Sequence, residues 1–183
     1  VDRCAALLEY SGEGRELVAR LKYRNARTSV GFLADAMAAL VDPAGIDAVT
    51  WVPTTPARRR QRGFDHAELL AKAVARRLGK PRRSLLRRLP GPAQTSLAAE
   101  ARRVGPQLVA RRAAPAARIL LVDDVVTTGA TASAAARALR AAGARTVEVV
   151  AAARTPRRGV HSAMAVCGSV VESRGQPQAK RPT

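Results

Sequence analysis

The thirteen residues from Ile119 to Thr131, ILLVDDVVTTGAT, constrain this chain more than any other stretch. Four apolar residues run into two adjacent carboxylates, Asp123 and Asp124, and two further apolar residues lead to a Thr-Thr-Gly-Ala-Thr turn. The run Arg118 to Val122 is short, β-branched and uninterrupted, as expected for a central parallel strand covered on both faces. Beyond the turn, Ala132, Ala135, Ala136 and Leu139 recur at helical spacing, Arg137 and Arg140 fall on the opposite side, and Gly143 supplies a left-handed stop. Strand, turn and helix in that order predict an α/β domain whose ligand crevice opens at the strand's carboxyl end.

The turn has the composition of an anion cradle. Backbone N–H groups at a helix start have no intrahelical acceptor and carry the positive end of the helix dipole. Gly129 allows close backbone approach, and the hydroxyls of Thr127, Thr128 and Thr131 add donors, so Thr127, Thr128, Gly129, Ala130 and Thr131 suit a monophosphate. Asp123 and Asp124 must serve another moiety, because carboxylates repel phosphate but accept hydrogen bonds from neighbouring hydroxyls and help hold a divalent cation. Together they read as a site for a ribose diol and its 5′-phosphate. Two plainer readings compete: an acidic strand end open to solvent, and threonine and glycine serving only as helix-cap chemistry. The requirement for both elements, at zero offset and in this order, favours the ligand site. Neither GxxxxGK[ST] nor GxGxxG occurs in the chain.

A second stretch points to the same crevice. Ala48 to Val52 is a short apolar strand, Pro53 and Pro56 force an extended exit, and Ala67, Leu70, Ala71, Val74 and Leu78 mark one face of a helix. Between them lie Arg58, Arg59, Arg60 and Arg62, whose planar forks suit a diphosphate if the two strands are neighbours. For Arg58 and Arg59 a solvated basic loop is an equally good reading.

The Ile119 to Thr131 segment resembles the phosphoribosyl-pyrophosphate (PRPP) motif of type I phosphoribosyltransferases, and the chain as a whole resembles their ComF/GntX branch of competence-related proteins. Tyr10-Ser11-Gly12 followed by Leu17, Leu21, Lys22 and Tyr23 is similar to that branch's opening segment. Val52-Pro53, then Arg60-Gln61-Arg62-Gly63-Phe64-Asp65-His66-Ala67-Glu68-Leu69-Leu70-Ala71, is similar to its second signature; Gln94, Leu97, Arg102 and Arg103 give a weaker third likeness. The likeness runs from residue 10 to about 154. It implies a type I phosphoribosyltransferase fold: a mainly parallel twisted sheet flanked by helices, with a hood over the substrate. The hood would fall in residues 80–117, with Gln94 to Gln107 as its lid; a plain surface connector is the alternative. The resemblance further implies Mg²⁺ and PRPP as ligands, Asp123 and Asp124 as catalytic and metal-facing acids, and Thr54, Arg60 and Arg62 on the pyrophosphate. Gln94, Arg102 and Arg103 would belong to the hood. Transfer to a nitrogen base and a role in DNA uptake follow from the same likeness, with single-stranded DNA and the uptake machinery as partners and a homodimer compatible with it. The branch commonly has an Asn near Gly105, absent here, so acceptor recognition is left open. Relatives often begin with a zinc ribbon, but Cys4 and Cys167 are far apart and form no CxxC pair, so no zinc is expected.

The remaining sequence fits one domain with appendages: an N-terminal helical segment (1–45), a core (46–154) and a polar, partly disordered extension (155–183). Leu17, Val18 and Leu21 predict a first helix, Val30, Leu33, Ala34, Met37, Leu40 and Val41 a second, and Thr146 to Ala153 the last strand. No apolar run is long enough for a membrane span and no secretory block is visible, so a cytoplasmic location is expected. Net charge is +18, with 32 basic residues against 14 acidic, which favours polyanions at low salt. Selective single-strand binding also needs stacking platforms, and Tyr10, Tyr23, Phe32, Trp51 and Phe64 are few. His66 and His161 are isolated, and an ordinary imidazole is the expectation for both.

Overall fold

The aliphatic run Ile119 to Val122 is fully enclosed, each side chain at 1% exposure or less, as two-sided coverage requires. The computed structural model describes residues 1–12, 16, 26–89, 106–111 and 115–156. Its elements in chain order are β1 (Arg3–Glu9), α1 (Ala26–Ala38), a 3-10 turn (Pro43–Gly45), β2 (Ala48–Trp51), α2 (Pro56–Arg62), α3 (His66–Leu78), β3 (Leu86–Arg88), β4 (Leu108–Ala110), β5 (Arg118–Val126), α4 (Ala130–Ala141) and β6 (Thr146–Arg154).

Four strands form a parallel sheet in the order β1-β6-β5-β2. Alternation along β5 sorts its side chains between two cores. Leu120 and Val122 join Leu33 and Met37 of α1 and Leu70 and Val74 of α3 on one face. Ile119 and Leu121 join Ala132, Ala135, Ala136 and Leu139 of α4 on the other. The alanines let α4 lie close to the sheet, so large aliphatics come mainly from the strands. Each fully buried Leu or Ile contributes roughly 1.5–3 kcal/mol of transfer free energy.

At the amino ends of β2 and β5, Asp47 accepts the Arg118 backbone N–H (2.8 Å) and grips its guanidinium with both oxygens (2.7 and 3.2 Å). These Arg118 contacts, the side-chain bond first, depress the Asp47 carboxyl to about 2. On the outer side of β2, Val49 donates to Pro81 O and accepts from Arg83 N, both at 2.9 Å, while the buried Thr50 hydroxyl accepts the Leu85 N–H at 3.4 Å. From that edge the chain enters β3, which pairs antiparallel with β4.

Several expectations change. Residues 1–45, read as helical, begin with a strand, β1, at the sheet edge. The strand carrying the acids extends to Val126 instead of ending at Val122. Arg58 to Arg62 lie in a short helix where a loop was expected. Residues 80–117, read as a hood or a surface connector, contain the short strands β3 and β4. The expected first helix at Leu17 to Leu21, the hood residues Gln94, Arg102 and Arg103, and the extension beyond residue 156 lie outside the described residues. Among the described residues no helix is long and apolar enough to cross a membrane.

Candidate functional site

The chain leaves β2 through Val52, Pro53 and Thr54, and Asp65 fixes this exit. Asp65 caps α3 by accepting the N–H groups of Ala67 (3.1 Å) and Glu68 (3.3 Å) on Oδ1, and its Oδ2 accepts the Thr54 N–H at 2.9 Å. One buried carboxylate thus ties a strand exit to a helix start.

Between those points α2 is capped by Thr55, whose hydroxyl accepts the Arg58 N–H, carries Pro56 in its first turn, and stops at Gly63 with φ +80°. Helical phase separates its arginines. Arg59 lies 3.8 Å from Glu68, which also binds Arg82 at 2.8 Å. Arg58 lines the cleft above the sheet, whereas Arg60 is exposed and does not line it. The Arg62 side chain lies outside the described residues.

That cleft, of about 290 Å³, lies at the carboxyl ends of β2 and β5, and Thr54, Arg58, Asp65, Arg88, Asp123, Asp124 and Thr131 all line it. The two aspartates differ in setting. Asp123 is buried and accepts the Asp124 N–H at 2.9 Å, and half-buried Asp124 accepts the Val125 N–H at 2.8 Å. Burial, then the neighbouring Asp124 charge, pushes the Asp123 carboxyl well above the usual carboxylate range. A proton retained there would make it a donor to ribose oxygen as well as an acceptor.

Gly129 begins α4 in the left-handed region (φ +79°) with no side-chain cap of its own, and the Ala130 N–H turns back to the Thr128 hydroxyl at 3.3 Å. Thr127 and Thr128 are exposed, and Gly129, Ala130 and Thr131 are half-buried. The acid pair, Thr131 and Thr54 therefore share one cleft, while Arg60 stands outside it.

Two residues had not been singled out for the site. Asp65 was visible only as one letter of a motif. Arg88, at the end of β3, has a buried Nε without a hydrogen-bond partner. Burial, and next the positive charge of Arg58, lower its guanidinium, while Asp123 and Asp65 pull the other way. An arginine stays charged in such a place, so its unmade bond is open to an anion. No periodic pattern surrounds Arg88 that could have announced it. His66 lines the same cleft with its ring centroid 4.6 Å from that of Phe64.

Among the described residues no group of three or more His, Cys, Asp or Glu side chains is placed to hold a metal ion. Asp123 and Asp124 alone suit an octahedral ion such as Mg²⁺ that keeps water and phosphate oxygens in its shell.

Comparison with solved structures finds the fold elsewhere. One, described as the allosteric regulatory enzyme of purine biosynthesis, shares 22% identity over 83% of this chain and 31% of its own, with TM-score 0.50. The glutamine PRPP amidotransferase of B. subtilis, complexed with ADP and GMP, shares 25% identity over 68% of this chain and 26% of its own, with TM-score 0.47. The APRTase of Giardia lamblia, complexed with 9-deazaadenine, shares 18% over 78% and 85%, with TM-score 0.48. The chain thus spans less than a third of the length of the first two. The comparison with curated proteins gives no match. A family model described as phosphoribosyl transferase domain matches residues 65–173, more than half of the chain, and the α/β sheet with its flanking helices agrees with it. The chain belongs to the phosphoribosyl transferase domain family.

Proposed function

We propose that this chain binds PRPP with Mg²⁺ and transfers its phosphoribosyl group to a nitrogen acceptor, as a type I phosphoribosyltransferase of the ComF/GntX kind. The observation that carries the reading is the convergence of the Asp123–Asp124 pair, Thr131 of the α4 turn, and Arg58 and Arg88 on one cleft. Asp123 and Asp124 hold the ribose hydroxyls and stabilise positive charge developing on the sugar ring. Thr127, Thr128, Gly129, Ala130 and Thr131 anchor the 5′-phosphate and fix the ring for in-line attack. Arg58 and Arg88, with Thr54, neutralise the diphosphate as the C1′–O bond breaks and a C1′–N bond forms; Arg60 and Arg62 belong to the same short helix as Arg58. Mg²⁺, when bound, supplies further charge neutralisation on the leaving group.

Calorimetric titration with Mg²⁺ and PRPP, followed by pyrophosphate release with a panel of bases and amines, tests the reading. Saturable binding and acceptor-dependent release, abolished in Asp124→Asn, are expected. Absence of binding would overturn it.

A second reading, a non-catalytic PRPP-binding protein associated with single-stranded DNA during uptake, is favoured by one observation. Arg82, Arg83 and Arg87 are exposed, and Arg82 shares Glu68 with Arg59 of the basic helix α2, in a chain of net charge +18. It predicts binding without turnover, and single-strand affinity that survives Asp124→Asn but disappears when Arg58 to Arg62 are neutralised. A cytoplasmic site of action accompanies either reading.

A further inference from the structure

The two edges of the parallel sheet are treated differently. Beyond β2 the segment Pro81 to Arg83 is hydrogen-bonded to Val49, so that side is covered. Beyond β1 no strand is placed among the described residues. Native edges are usually blunted by proline, lysine, inward charges or a bulge. The middle of β1, Cys4-Ala5-Ala6-Leu7-Leu8, has none of these, and its register with β6 holds a constant offset from Arg3↔Glu148 to Glu9↔Arg154.

We propose that this edge pairs with the same edge of a second copy of the chain. At either end of β1, Asp2 and Tyr10 donate their N–H groups to β6, to Val147 O at 3.0 Å and Arg154 O at 2.7 Å. Even-numbered residues therefore face β6, and the N–H and C=O groups of Arg3, Ala5, Leu7 and Glu9 point away from the sheet. An antiparallel partner must exchange hydrogen bonds between residues of that outward set. The register centred on Ala6 does so: Arg3 meets Glu9 of the copy, Ala5 meets Leu7, and the two-fold axis repeats both pairs. That register also places opposite charges across from each other twice, at the two ends of an uncharged stretch. Arg3 is exposed and Glu9 half-buried, and neither has a charged partner within its own chain among the described residues. The product is one continuous sheet of two four-stranded halves. Both ligand clefts, at the carboxyl ends of β2 and β5, lie away from the seam. The inference is independent of the PRPP reading.

Sedimentation equilibrium of the full chain over a concentration series, with hydrogen exchange at both ends of the series, tests it. A reversible dimer is expected, in which the Ala5 and Leu7 amides gain protection with concentration while those of Ala6 and Leu8 are already protected. Arg3→Glu opposes like charges at both pairs and should raise the dissociation constant about tenfold. Adding Glu9→Arg to it should return the constant towards the parent value. Ala5→Pro removes an outward donor at an edge position that tolerates proline, and should abolish pairing with the circular dichroism spectrum kept. A monomer throughout the series, or a dimer indifferent to both Arg3→Glu and Ala5→Pro, would overturn the proposal.

Discussion

Asp65 Oδ2 accepts the backbone N–H of Thr54 at 2.9 Å, across eleven residues that include the whole of α2. Its other oxygen caps α3, so the arginine-bearing turn is closed at its base by a single side chain. Asp65→Ala should lower stability by ~2 kcal/mol, from the lost cap and the lost loop bond together. It should also weaken PRPP binding more than that loss of fold explains. Asp65→Asn keeps an acceptor for the helix and should fall between the two. Urea melts and calorimetry on the three proteins check this; equal affinity in all three would remove Asp65 from the site.

Arg88 brings a charge into the cleft with its Nε unsatisfied. Arg88→Met should therefore leave the melting temperature unchanged or raised, while PRPP affinity falls ~10-fold or more, the worth of a charged hydrogen bond. Arg58→Met should behave similarly and Arg60→Met should have little effect, because helical phase turns Arg58, and not Arg60, into the cleft. Titration of the three variants decides, and the reverse order of Arg58 and Arg60 would overturn the assignment of Arg58 to the diphosphate.

Asp123 carries a different signature. Its carboxyl is raised in the folded protein, so the native state holds a proton that the unfolded chain releases, and stability falls as pH rises from about 4 through the raised value. Asp123→Asn keeps an acceptor for the Asp124 N–H and removes the buried charge. At neutral pH it should stabilise the fold, since the parent must there either retain a proton or bury a charge beside Asp124. PRPP binding should be lost at the same time. Thermal melts between pH 4 and 8 check the sign, and the variant's advantage should vanish at the acid end.

Asp47 works in the opposite sense. Held at about 2 by Arg118, it stabilises the fold above the ordinary carboxylate range, and that contribution is lost as pH falls from about 4 towards 2. Asp47→Asn should flatten the acid limb of the stability profile without altering PRPP affinity at pH 7, as acid titration followed by circular dichroism will show.

Some of this was legible in the residues alone. The enclosed strand and the turn at Gly129 were contiguous and strongly patterned, and the family match agrees with the α/β sheet they predicted. Strand β1 was not, because Arg-Cys-Ala-Ala-Leu-Leu-Glu is built from good helix formers and contains no β-branched residue. Its extended form comes from pairing with β6, a tertiary effect that overrides local preference. Arg88 was missed for a related reason: β3 and β4 have three residues each and find each other across a long sequence gap, too short for a period-2 signal. Arg58 and Arg60 differ by two positions in a helix, a distinction that a loop reading cannot make.

The Asp47–Arg118 clamp fastens β2 and β5 at their amino ends, while ligand-facing groups gather at the opposite rim. Strand alignment is thus anchored far from the chemistry. Loops at the rim can exchange residues, and with them what the cleft admits, without loosening the foundation that keeps their spacing.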